Sequence, residues 1–173
     1  RLYSAELRAR ALAAQGRDDE ALEVVVAAIA AAPEGGARDA AAMVATLVDF
    51  PAAAVRGAGE VLRRWPDHAP SLWFRASALT QLDRAEEARA DLEAGLSPSA
   101  GEPFEPDLLE ALAGDLATRG DHERSARLAS RALELDEGRI YAAELRTRAL
   151  VAQGSLDAAE ATILAAAGAA TTS

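Results

Sequence analysis

An all-α fold of tandem antiparallel helix pairs, an α-solenoid, is what this sequence predicts, on three observations. Half of the residues are hydrophobic but only 4% are aromatic, and alanine supplies most of the apolar total. Alanine has the highest helix propensity and lets helices approach closely, while the β-branched strand formers are sparse outside Val24 to Val26. The second observation is a helix written twice. YSAELRARALAAQG at 3–16 and YAAELRTRALVAQG at 141–154 share eleven of fourteen positions at a separation of 138 residues. Third, that separation is four steps of about 34 residues, the period of a helix-turn-helix repeat.

The copies between the two ends can be taken in order. The first unit, about 2–35, turns at AQGRDDEAL, 14–22. Its second helix opens on Asp18, Asp19 and Glu20, acids that the free amides and dipole of a helix start stabilise, and closes at Pro33. The second unit, about 36–68, carries only a faint turn, LVDFPAAAV at 47–55, and closes at Pro66. The third, about 69–105, turns at TQLDRAEEARADL, 80–92. The fourth, about 106–138, turns at ATRGDHERSARLA, 117–129, and the fifth, about 139–170, at AQGSLDAAEA, 152–161. Gly16, Gly120 and Gly154 stand where the first helix of a pair ends and a left-handed residue is needed. Between the third and fourth units lies SPSAGEPFEPD, 97–107, whose three prolines predict a loop throughout.

With these turns and this period, the chain resembles a bacterial-type tetratricopeptide repeat array of about five repeats, a single array over its whole length and, by that resemblance, a right-handed superhelix. The resemblance implies small residues at the eighth, twentieth and twenty-seventh places of each unit. They read Ala9, Ala42, Ala76, Ala113, Thr147; Ala21, Ala54, Ala88, Ser125, Ala159; and Ala28, Val61, Gly95, Ala132, Ala166. Eleven of the fifteen are alanine. Larger apolar residues fill the wider gaps: Leu12, Leu79, Leu116 and Leu150 on first helices, Val25, Leu92 and Ile163 on second ones. Trp65 and Phe74 read as packing residues. Two departures stand out. The second unit has Asp49 and Pro51 where a glycine turn is expected, and the third has Asp83.

Each unit buries its apolar face only against its neighbours, so the outer faces of the first and last units are expected to meet a further element. The chain begins at Arg1 without an initiator methionine or a leader and is expected to lack its natural N-terminus.

Composition narrows the chemistry. Net charge is −10, which argues against a phosphate-tracking groove and a nucleic-acid partner. All eighteen bases are arginine, with neither lysine nor asparagine present, which reads as the codon bias of a GC-rich genome. The apolar runs fall short of the roughly 18 residues that membrane insertion requires, so the chain reads as soluble. With no cysteine, the choice between cytoplasm and periplasm stays open. His68 and His122 belong to no ligand-spaced cluster and read as solvent-exposed turn residues. No serine sits on a nucleophile elbow, and no glycine cluster has the lysine of a phosphate loop. No enzyme activity, cofactor or metal is expected.

The resemblance places the second, fifth, ninth and twelfth residues of each first helix on a concave, partner-binding face. Among these, Asp39, Met43, Trp73, Ser77, Glu110, Tyr141, Glu144 and Arg148 are the candidate binding residues. Glu144 and Arg148, like Glu6 and Arg10, are spaced to pair with each other on a wet helix face. Asp39, Met43, Trp73 and Glu110 have no basic neighbour among the inner-face places, so a basic or amphipathic peptide is the expected ligand. The chaperone-tail clamp of the family needs lysine and asparagine and is not expected here. The reading is therefore a non-catalytic protein or peptide interaction module. Its alternatives are the repeat segment of a larger enzyme or regulator, and a scaffold that self-associates end to end.

Overall fold

The structure, a computed structural model, describes residues 2–47, 49–97, 99 and 101–172. Among them are ten α-helices and no strand. The chain divides into two compact units, residues 1–98 and 99–173. The first holds α1 (Leu2–Ala13), α2 (Asp18–Ala30), α3 (Ala37–Ala45), α4 (Pro51–Arg64), α5 (Ala69–Gln81) and α6 (Ala85–Leu96). The second holds α7 (Glu105–Thr118), α8 (His122–Leu135), α9 (Ile140–Ala152) and α10 (Leu156–Thr172). Consecutive helices pair as hairpins. Within the first unit α3 also packs on α1, α2 and α5, and α4 on α2 and α5; within the second, α9 packs on α7 and α8.

Four of the hairpins turn by one motif, built from backbone geometry. Gly16, Gly120 and Gly154 have φ of 71°, 81° and 75°, the left-handed conformation a glycine adopts without strain. In the first hairpin the Gly16 N–H donates to the Ala13 carbonyl at 2.9 Å and the Arg17 N–H reaches back to Leu12 at 3.0 Å. The same two bonds recur as Gly120 to Ala117 with Asp121 to Leu116, and as Gly154 to Val151 with Ser155 to Leu150. Together they satisfy carbonyls that a helix end leaves open. The third hairpin forms the motif with Asp83 at φ 58°, the one described non-glycine residue in that region.

An aspartate tolerates this conformation better than most residues but still crowds its Cβ against the backbone. Asp83 is exposed, and among the described residues no hydrogen bond of its side chain offsets that crowding. Asp83→Gly is therefore expected to stabilise the chain by roughly 0.5 kcal/mol, the relief of strain exceeding the extra freedom of an unfolded glycine. A thermal melt followed by circular dichroism reads this as a small upward shift of the midpoint. A downward shift would show that the aspartate contributes more than its backbone.

The twentieth places carry the close packing. Ala21, Ala54, Ala88, Ser125 and Ala159 are all buried. In the fourth hairpin the Ser125 hydroxyl donates to the Ala113 carbonyl at 2.8 Å, joining the twentieth place of α8 to the eighth place of α7. The second hairpin departs from the expected register. Its first helix is the shortest, nine residues, and buries Ala40, Ala41, Met43 and Val44, while Ala42 at the expected eighth place is exposed. A count in steps of 34 slips here, because a short helix and an irregular turn reach the core from a different residue. Between α3 and α4 the Leu47 N–H donates to Val44 at 2.9 Å, the Phe50 N–H to Leu47 at 2.8 Å, and Pro51 starts α4, where its missing N–H costs nothing.

Trp65 and Phe74 pack against the core of the first unit as expected. The Trp65 indole N–H also donates to the Glu34 carbonyl at 2.8 Å, and the neighbouring Arg64 donates to the Ile29 carbonyl at the end of α2 at 3.0 Å. Ile163, expected as a gap filler, is exposed on α10. The loop expected over 97–107 is shorter than its prolines suggest. Helix α7 starts at Glu105, with Pro106 in its first turn, where no hydrogen bond from that nitrogen is required. The Glu105 carboxylate accepts from the Gly101 N–H at 2.6 Å and holds the end of the connection to the helix.

Candidate functional site

Two acids of the fourth hairpin, Glu110 and Asp107, are engaged by the start of the next one. Glu110, on α7, accepts from the Arg139 guanidinium at 2.8 Å with one oxygen and from the Ala142 N–H at 3.1 Å with the other. Asp107, one turn earlier, accepts from both terminal nitrogens of Arg139 at 3.1 Å, and Asp136 lies 3.4 Å from its Nε. Arg139 occupies the position before α9 where a short polar side chain would ordinarily accept from the third helical N–H. An arginine cannot do this, and Glu110 supplies the missing acceptor from the neighbouring helix. Burial works against the Arg139 charge, but the Asp107 and Glu110 carboxylates outweigh it and hold the guanidinium pKa above its ordinary value. The expectation that Glu110 lacks a basic partner is therefore corrected: its side chain, 15% exposed, is a strut between α7 and α9.

Met43 is also corrected. It is 2% exposed and belongs to the apolar core of the first unit, a consequence of the register of α3. Asp39, on the same helix, is exposed. Trp73 and Ser77 lie one turn apart on α5 and are half-buried; the Trp73 ring meets Phe74 edge to face at 5.2 Å between centroids. On α9, Tyr141 is half exposed, and its hydroxyl is 3.1 Å from where a side chain on Gly114 would begin. Glu144 and Arg148 pair with each other at 3.3 Å, as Glu6 and Arg10 do at 3.5 Å. Exposed pairs of this kind contribute little to stability and leave both groups accessible.

A second charged contact escaped the sequence reading. Arg75 on α5 makes a bidentate pair with Asp91 on α6, both bonds at 2.6 Å, with Asp91 buried. Hydrogen bonding to Asp91 raises the Arg75 pKa against the effect of burial. The signal for Arg139 was present in the sequence: a helix start without a capping residue implies an acceptor from elsewhere, and Asp107 and Glu110 are spaced to share one helix face. Nothing comparable marks Arg75.

The histidines are half-buried where full exposure was expected. His68 lies 2.9 Å from the Ser71 hydroxyl at the start of α5, and burial lowers its pKa. Among the described residues no group of three or more histidine or acidic side chains is placed to hold a metal ion. No described helix is long and apolar enough to cross a membrane.

No family model matches the chain, and no curated protein matches it. Solved structures do. A crystal structure of MamA protein superposes with a TM-score of 0.71 at 16% identity, over 97% of this chain and 91% of that one. MamA 41-end from Desulfovibrio magneticus RS-1 gives 0.68 at 17% identity, over 99% and 96%. A Podosopora anserina putative kinesin light chain with nearly identical TPR-like repeats gives 0.63 at 18% identity, over 99% and 96%. At these identities the likeness is one of fold, and it is to tetratricopeptide-type helical repeats.

Proposed function

Starting from a tetratricopeptide-repeat fold, we propose that this chain is a non-catalytic interaction module that takes a basic or amphipathic peptide segment on the first helices of its hairpins. The observation that carries the reading is Trp73. In a chain with so few aromatics, a half-buried indole held edge-on by Phe74 is a rigid apolar contact of the kind that concentrates binding energy. Ser77 adds a hydroxyl one turn along α5, and Asp39 on α3 adds an exposed carboxylate. On α9, Tyr141 with the Glu144–Arg148 pair offers a second contact set of the same mixed character. The net charge of −10 favours encounter with a cationic segment.

The test is titration of the intact chain with a panel of fluorescent amphipathic peptides matched in length and varied in charge. Basic members should bind best, and more weakly as salt rises, because exposed charges are screened over roughly 8 Å at physiological ionic strength. Trp73→Ala should weaken binding about tenfold or more through faster dissociation, and Asp39→Arg should slow association with cationic peptides. Glu110 is left intact in this experiment because it supports α9. Affinity unchanged by both substitutions would remove the first helices of residues 1–98 from the ligand face.

A further inference from the structure

Between α2 and α4, the second helices of the first two hairpins, run two adjoining hollows of about 390 and 320 Å³ that share Val26, Glu60 and Arg63. Helix α2 packs on α1, α3 and α4, and α4 on α2, α3 and α5, so this groove lies between packed neighbours. Its floor is apolar: Leu22 and Ile29 are each 3% exposed, and Val26 beside them is half-buried. Its rim is basic. Arg56, Arg63 and Arg64 of α4 and Arg75 of α5 stand against one acid, Glu60, among the described lining residues. The whole chain has 28 acids to 18 bases, so the balance is reversed here. Arg75 is committed to Asp91. Arg56 and Arg63, 65% and 75% exposed, pair with Asp19 and Glu60 and keep most of their donors for a ligand. Arg64 donates to the carbonyls of Ile29 and Ala30, and among the described residues no carboxylate pairs with it.

Gly59 is the second observation. It stands in the interior of the 14-residue α4, where glycine costs helix stability relative to alanine. Gly57 on the same helix answers a packing demand, since a side chain there would begin 3.5–3.6 Å from Val44, Leu47 and Val25. Gly59 answers none. It lines the groove, has no left-handed φ, and nothing lies within 4 Å of where its Cβ would be. A bare backbone at that point serves an element laid into the groove, which comes closest where no side chain intervenes. We propose that the α2–α4 groove takes an acidic amphipathic helix of a protein partner. Its apolar side rests on Leu22, Val26 and Ile29, its backbone crosses at Gly59, and its carboxylates meet Arg56, Arg63 and Arg64. This surface is separate from the first-helix face and opposite in preference. The net charge of −10 opposes the approach of an acidic ligand, so this is the weaker of the two sites.

The experiment titrates the intact chain with three fluorescent amphipathic peptides about five turns long, which share one apolar face and carry glutamate, glutamine or lysine on the other. The glutamate peptide should bind about tenfold more tightly than the glutamine peptide. Arg63→Glu should weaken the glutamate peptide about tenfold and spare the lysine peptide. Arg127→Glu makes the same charge change at an exposed position of α8 and should leave the glutamate peptide's affinity where it was. Gly59→Gln should melt at a higher temperature than the parent chain, because glutamine is the better helix former, and still bind the glutamate peptide about tenfold more weakly. A purely structural glycine would not produce that combination. No binding of the glutamate peptide, equal binding of the glutamate and glutamine peptides, an Arg127→Glu loss as large as that of Arg63→Glu, or a Gly59→Gln chain that melts lower or binds as before would each overturn the proposal.

Discussion

Glu110→Arg is expected to destabilise the chain by about 3 kcal/mol. Removing one partner of a buried ion pair costs about 3–5 kcal/mol, and here the pair is partly reached by water, which places the electrostatic loss near 2 kcal/mol. The Ala142 N–H then loses its acceptor at the start of α9, an effect of about 1 kcal/mol, the usual worth of an N-cap. The substitution also sets a second guanidinium against Arg139, with only Asp107 and Asp136 left to compensate. Glu110→Gln separates the contributions. It keeps an oxygen for Ala142 and gives up the charge, and should cost less than the arginine. Urea unfolding followed by circular dichroism measures both. An unchanged midpoint for Glu110→Arg would mean that the contacts of Arg139 hold nothing together, and would return Glu110 to the list of open surface acids.

Ala88→Leu is expected to cost about 1–3 kcal/mol by overpacking. Ala88 is buried on α6 at the place where, in the fourth hairpin, Ser125 touches the backbone of the facing helix. Three added carbons must either push α5 and α6 apart or leave their preferred rotamers. The neighbouring Ala90→Leu is the control, since Ala90 is exposed on the same helix and leucine forms helix almost as well as alanine. Its midpoint should barely move. Equal losses at both positions would point to helix propensity and would remove Ala88 from the helix contact.

These two residues mark the division between what was legible in the chain and what was not. Ala88, the turn glycines and Asp83 could be read because each answers a local requirement repeated at a fixed period: a close approach of two helices, or a left-handed residue at a helix end. The acids that open α2 belong with them, since a helix start attracts carboxylates whatever lies around it. The same preference holds at α8, where Asp121 accepts the Arg124 N–H at 3.1 Å. Met43 could not be read in this way, because the nine-residue α3 and its irregular turn break the period, and only packing shows which side of the helix is inside.

Glu110, Asp107 and Arg139 lie 29 and 32 residues apart in sequence. By the resemblance Glu110 was expected on a concave face, open to a partner. The packing of α9 on α7 brings the two acids to a helix start that lacks its own cap. Outside the second hairpin, the sequence by itself determined the helices, their turns and most places of close packing, because those follow from backbone conformation and side-chain size within one hairpin. Only the tertiary structure decided which charges remain available to a partner, because a carboxylate's state depends on the donor that the neighbouring hairpin brings within hydrogen-bond reach.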